Sequence, residues 1–224
     1  MIDFAPIILT LELAFLTTII LFVIGIPIAR WLAQGQNIFK TITEVVCSLP
    51  LVLPPTVIGF YLLLAFSPSG SFGRFLENFF NIRLAFSFGG LLIGSVIYSL
   101  PFMVHPILSG FNSLPSSLEE ASASLGKTKF QTLIHVLLPN IKPSLLTGIV
   151  LTFAHTIGEF GVVLMIGGNI PGKTNVASIA VYDEVEALNY HNANIYAAIL
   201  VGISATILFL LYFSNRKLRQ VKIL

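Results

Sequence analysis

The chain has 224 residues, of which 55% are hydrophobic and 10% charged, with a formal net charge of +2 and a mean hydropathy of +0.91. A soluble domain carries about 25% charged residues, so this chain lacks the polar surface to cover a globule, and a membrane is its natural solvent. The net charge says little about partners and gives no ground to expect nucleic acid. The single cysteine, Cys47, excludes an internal disulfide and a multi-thiolate metal site.

The start, MIDFAPIILT, holds an acid and no basic residue ahead of a long apolar run. It is expected to be a retained span and not a cleaved signal peptide. A helix crossing the hydrocarbon core needs about 20 mostly apolar residues. Residues 7–29, 45–67, 84–111, 144–168 and 195–214 meet that need, and only Glu12 and Glu159 bring a formal charge into them. Backbone amides in lipid must be satisfied within the segment, so these are helices. The expected fold class is therefore all-α: a polytopic membrane protein of five transmembrane helices. One domain is expected over 1–224, with no internal repeat, and the roughly ten residues after the fifth run are too few for a regulatory domain.

Lys and Arg set the orientation. Arg30, Lys40, Lys127, Lys129, Lys142, Arg216, Lys217, Arg219 and Lys222 fall on one side of the five runs, against Arg74, Arg83 and Lys173 on the other. The amino end is expected outside and the carboxyl end in the cytoplasm.

The second run contains SLPLVLPPTVIGF. Pro50, Pro54 and Pro55 each remove a backbone donor and should interrupt the helix in mid-membrane. Freed backbone groups at such a break can line a cavity, and Thr56 and Gly59 suit its wall. A packing kink is the plainer alternative. Gly89, Gly90 and Gly94 in the third run suit close helix packing.

Between the third and fourth runs the chain turns polar: EEASASLGKTKFQTLIHVLLP, residues 119–139. Ser117 and Glu120 have capping-box spacing, as do Thr128 and Gln131, and Pro115 suits a first turn. Gly126 can take the left-handed conformation that ends a helix. Phe130, Leu133, Ile134 and Leu137 then repeat as one apolar helical face, and Pro139 is expected to end it. This predicts a helix–glycine–helix elbow, over about 113–142, on the cytoplasmic side. On pattern alone it is either a connecting loop or a docking surface.

Glu120-Ala121-Ser122, then Gly126, then Val136-Leu137-Leu138-Pro139, resembles the Glu-Ala-Ala loop of ABC importer permeases. The spacing is kept throughout, with Ser122 for the second Ala and Val136 for Ile. The resemblance implies that the elbow fits a cleft of a separate ATPase subunit, through Glu119, Glu120, Ala121, Ser122 and the bend at Gly126. The chain has no phosphate-binding Gly-x-x-x-x-Gly-Lys-Ser/Thr loop. It is expected to bind no cofactor and to be no enzyme itself, with ATP and Mg on the partner ATPase.

A second stretch, HTIGEFGVVLMIGGNIPGKTNVASIAVYDEVEALNY from His155 to Tyr190, resembles the molybdate branch of that family. Gly158-Glu159-Phe160-Gly161 and the run from Gly167 to Thr174 carry the likeness. Tungstate and sulfate branches share the Gly-Glu-aromatic-Gly core, so those anions remain alternatives, as does, more remotely, an ion-gradient-driven transporter. The family implies a bacterial inner-membrane location, a second copy of the chain, two cytoplasmic ATPase subunits, an external oxyanion-binding protein and surrounding lipid. Candidate residues of the translocation path or its gate are Pro54, Pro55, Thr56, His155, Glu159 and Asn169. A carboxylate within a span is costly, and a poor ligand for a dianion, so Glu159 is expected to be structural or gating. His155, four residues earlier, lies on the same helical face and could neutralise it. Outside, Thr174-Asn175 is expected to cap a helix over 176–188, a gate or a shelf for a binding protein.

Overall fold

In a computed structural model of the chain, residues 2–35 and 37–221 are described, with side chains as far as Phe213. The first helix, α1, spans Ala5–Ala33. Next come α2, Ile38–Val52, and α3, Pro55–Phe66. A short amphipathic helix, α4, Ser71–Phe80, precedes the long α5, Phe88–Asn112. The elbow comprises α6, Ser117–Ser124, α7, Lys129–Thr132, a π turn at Leu133–Leu137 and α8, Leu138–Asn140. The chain then continues through α9, Lys142–Ile157, α10, Gly161–Gly167, α11, Ala177–Glu186, and α12, Tyr190–Val221.

Three of these, α1, α5 and the 190–213 part of α12, are each long and apolar enough to cross a membrane. Two bent pairs, α2 with α3, turning by 114°, and the 129–140 segment with α9, turning by 78°, bring the number up to five if each is one span. Helix α5 measures depth for the rest. Ser48 of α2 contacts His105, whereas Gly59 in α3 packs closely on Val162 and Met165 of α10, and α10 lies against Gly94. The path α2–α3 thus runs the length of α5. So does α9–α10: Ser144 lies at Gly110, Gly148 at Met103, and Ile166 at Gly90. The predicted fourth span is therefore α9 and α10 together, interrupted at 158–160.

Burial follows the same two levels. One cluster joins Leu21, Leu32, Met103, Ile107, Phe111, Leu137 and Ile141 at the elbow end of the bundle. Another joins Leu13, Leu91, Val162, Val163, Ile166 and Ile179 at the opposite end. Apolar side chains face outward in quantity, including Val52 at 81% and Phe209 at 68% exposure. That pattern is the reverse of a water-soluble protein and suits a chain solvated by lipid.

Several sequence expectations are corrected. Pro50 lies within α2 and does not end it; the break comes at Leu53–Pro54. Residues 84–87 are not helical: Phe86 takes a positive φ of 58°, its N–H bonds Ile166 O, and Ser87 caps α5. The helix expected over 176–188 is 177–186, capped by neither Thr174 nor Asn175, because both side chains are engaged elsewhere. Of the basic residues used for orientation, Lys222 lies outside the described residues, and the side chains of Arg216, Lys217 and Arg219 outside the described side chains.

Candidate functional site

Most of the residues singled out in the sequence fall at two places. The first is the elbow. Helix α6 closes with Gly126 at φ +73°. The N–H of Gly126 reaches Ala123 O at 2.9 Å and that of Lys127 reaches Ser122 O at 3.2 Å, the paired bonds of a glycine-terminated helix. Thr128 and Gln131 form the expected capping box at the start of α7. The other predicted box fails: α6 begins after Ser116, with no side-chain cap. Pro139 does not end the second helix either. It lacks the N–H that the carbonyl four residues back requires, and its ring crowds that carbonyl; the chain widens into the π turn and runs on to Asn140. The widened turn sends Leu137 and Leu133 inward and leaves Phe130 72% exposed.

Of the five elbow residues singled out in sequence, Ser122 is buried, and its hydroxyl bonds the Thr132 hydroxyl at 2.8 Å. It holds the two arms of the elbow together. Glu119 is turned to this chain's own α1: Arg30 Nη2 donates to Glu119 Oε2 at 2.5 Å, with the same guanidinium 5.6 Å from the Phe111 ring centre. Glu120 and Ala121 remain exposed. Arg30, Gln34, Glu119, Glu120, Lys127, Lys129 and Phe130 edge a cavity of about 650 Å³ in the crook of the elbow.

The second place lies where two broken helices meet. Helix α3 starts at Pro55 and α10 at Gly161, and the two backbones are nearly in contact. A Cβ added at Gly161 would stand 2.7 Å from Pro55 Cβ, and one at Gly59 would stand 2.7 Å from Met165 Cβ. Beside this contact is a cavity of about 510 Å³ lined by Pro55, Thr56, Tyr98, Ala154, His155, Gly158, Glu159, Phe160 and Gly161. The structure thus brings Pro55, Thr56, His155 and Glu159 together. Pro54 is one residue outside the lining, where its carbonyl accepts the first N–H groups of α3. Asn169 is elsewhere: it donates to both oxygens of Asp183, at 2.9 and 3.0 Å, tying the loop after α10 to α11.

Glu159 is 4% exposed, and among the described residues neither carboxyl oxygen has a hydrogen-bond partner. Ser95, whose hydroxyl is also buried without a partner, is its polar neighbour on α5. The expected pairing with His155 does not form. Helix α9 ends at Ile157, so Glu159 falls past the helix and the i, i+4 relation is lost. His155 instead bonds Ser99 Oγ through Nδ1 at 3.0 Å and stacks on Phe102 with ring centres 3.9 Å apart. The backbone of Glu159 is held from outside the cavity, its carbonyl accepting from Ser178 Oγ at 2.6 Å. Sequence reasoning missed Ser95, Tyr98 and Ser99. Two hydroxyls at i, i+4 on an otherwise apolar span were the available signal.

Comparisons with known proteins agree with one another. Residues 22–220 match the family described as binding-protein-dependent transport system inner membrane component. The chain is 46% identical over 215 residues to the molybdenum transport system permease protein ModB of Azotobacter vinelandii, covering 96% of this chain and 95% of that one. It is 32% identical over 206 residues to a putative molybdenum transport system permease protein of Bacillus subtilis, covering 92% and 91%. The sulfate transport system permease protein CysT of Escherichia coli is 32% identical over 200 residues, covering 89% of this chain and 72% of that one. Among solved structures, an inward-facing MetNI methionine ABC transporter superposes with a TM-score of 0.72 at 19% identity, covering 95% and 94%. A bacterial alginate ABC transporter, in complex with an alginate-bound periplasmic protein, gives 0.77 at 18% identity, covering 96% and 78%. At those identities the structural matches speak for the fold.

Proposed function

Because the chain belongs to the inner membrane components of binding-protein-dependent transport systems, we propose that it is the membrane-spanning permease subunit of an ATP-driven importer that carries molybdate across the inner membrane. The observation that carries this reading is the 46% identity to a molybdenum permease over nearly the whole length of both chains. Identity to the sulfate permease is lower, 32%, which favours molybdate over sulfate.

In this reading two copies of the chain enclose the path, two ATPase subunits bind the elbows from the cytoplasm, and a loaded binding protein docks outside, where α11 lies. ATP and Mg²⁺ belong to the ATPase subunits. Closure of the ATPases moves each elbow through exposed Glu120 and Ala121, and the bend at Gly126 keeps the angle between its arms. Leu137 and Ile141, buried among α1 and α5, carry that movement into the spans. The anion passes the level of Thr56, His155 and Glu159. Helix α3 begins at that level, and the positive end of a helix dipole favours an anion there. The buried Glu159 carboxyl, unsuited to hold a dianion, acts as part of the gate. No bond of the anion is made or broken.

Uptake into proteoliposomes holding the chain, its ATPase and its binding protein tests the reading. Labelled molybdate should enter only with ATP, and a tenfold excess of sulfate should leave uptake largely intact. Abolition by sulfate would make the protein a sulfate permease. Uptake driven by an ion gradient without ATP would make it a secondary transporter.

A further inference from the structure

The external helix α11 grips the mid-membrane break. Ser178 and Tyr182 lie four residues apart and so share one face of α11. Ser178 donates to the Glu159 carbonyl at 2.6 Å, and the Tyr182 ring packs on that of Phe160, 5.2 Å between centres. Both contacts fall on residues 158–160, which belong to neither α9 nor α10. An interrupted helix leaves carbonyls without an intrahelical donor, and Ser178 supplies the donor here. The break is therefore completed by a helix that lies outside the membrane-spanning part.

The rest of α11 is tied to firm ground. The N–H of Ala177 bonds Thr10 Oγ1 of α1 at 2.8 Å, and Ile179 is fully buried. Asp183 accepts from Asn169 and from Asn175. These contacts stiffen α11, so a force applied to it bears on Glu159 and Phe160 in the cavity wall through Ser178 and Tyr182. Neither Ser178 nor Tyr182 lines the cavity.

We infer that Ser178 and Tyr182 are positioning residues which carry the docking of the external binding protein, through α11, to the cavity wall at Glu159 and Phe160. The inference rests on the importer reading above.

The test uses the complete complex of this chain with its ATPase in lipid nanodiscs, with molybdate-loaded binding protein added. Three quantities are read: ATP hydrolysis without binding protein, its stimulation by loaded binding protein, and the affinity of docking. Ser178→Ala removes the hydrogen bond. Tyr182→Ala removes the ring, whereas Tyr182→Phe keeps the ring and loses only the hydroxyl, which bonds Glu186. Ser178→Ala is expected to lower stimulation at least fivefold, with unstimulated hydrolysis and docking affinity unchanged. Tyr182→Ala should lower stimulation likewise, and Tyr182→Phe should restore it. Full stimulation in both alanine variants overturns the inference, as does a loss that comes only with lost docking or lost unstimulated hydrolysis. If the unaltered complex shows no stimulation by loaded binding protein, the importer reading falls and this inference falls with it.

Discussion

Among the described residues Ser95 is the polar neighbour of the buried Glu159 carboxyl, and a buried polar group without a hydrogen bond costs about 1–3 kcal/mol by protein mutational measures. Glu159→Gln keeps the shape and an acceptor near Ser95, so uptake should fall by no more than about threefold. Glu159→Leu removes both and should reduce uptake by tenfold or more, on the order of 1.4 kcal/mol in the balance of two conformations. Both are compared at matched membrane levels. Equal damage from Gln and Leu would show that the negative charge itself does the work. Gly161 makes a sharper steric prediction. A valine there would push Cβ into Pro55, 2.7 Å away, and overpacking of this kind costs about 1–3 kcal/mol. The purified Gly161→Val protein should melt several degrees lower than the parent, whereas Gly202→Val, where an added Cβ meets nothing within 4 Å, should leave the melting temperature unchanged. Glu159 was conspicuous in the sequence because a lone acid interrupts an apolar run. Its attachment to Ser178 was not, because nothing local marks a contact across 19 residues and a loop.

The elbow depends on backbone geometry at one end and on charge at the other. Gly126 stands at φ +73° with nothing within 4 Å of an added Cβ, so any effect of substitution there is conformational. Gly126→Asn should be tolerated, since Asn visits the left-handed region. Gly126→Val should lose about 1–2 kcal/mol and uncouple ATP hydrolysis from uptake while the spans still insert. Normal uptake in the valine variant with an assembled ATPase complex would show the bend to be dispensable. Arg30 and Glu119 pin the elbow to α1, and an exposed pair of this kind is worth roughly 0–1 kcal/mol by itself. Its value would lie in geometry: Arg30→Glu or Glu119→Arg alone should lower the anions moved per ATP, and the double exchange should recover at least half of the loss. The elbow was legible in sequence because its glycine and its Thr-x-x-Gln box are local signals, each read from four consecutive residues. The π turn was not, because it arises from the competition between Pro139 and the helix around it. Helix α4 was missed altogether. Its Phe72, Phe75 and Phe79 recur at helical spacing, but ten residues between two apolar runs read as a plain loop without tertiary context.

Across the molecule the basic residues fall at two opposite levels. Arg30 lies at Phe111, the far end of α5, and Lys127 and Lys129 lie in the elbow at that same end. Lys173 lies in the loop that follows α10, and Arg83, bonded to Glu77, just ahead of the start of α5. The sequence alone reached this division because helices long enough to span alternate the sides of the loops between them, whatever the internal bends. It reached the first bend through Pro54 and Pro55, but not the second. A span broken at 158–160, where no proline stands, has the same length and hydropathy as an unbroken one, and only the packing of α10 on α3 and α5 distinguishes them. The excess of Lys and Arg at the elbow end predicts that this end is cytoplasmic. An epitope inserted at Gly172, whose backbone turns at φ +71° with open space around it, should therefore be labelled by antibody in cells whose outer membrane is permeabilised and whose inner membrane is intact. A second epitope placed after Lys127 should be labelled only once the inner membrane is opened. A fluorescent reporter fused after Leu224 should fold and shine in the cytoplasm. Labelling of the elbow epitope in intact spheroplasts would invert the topology, and with it the side from which any ATPase subunit could act.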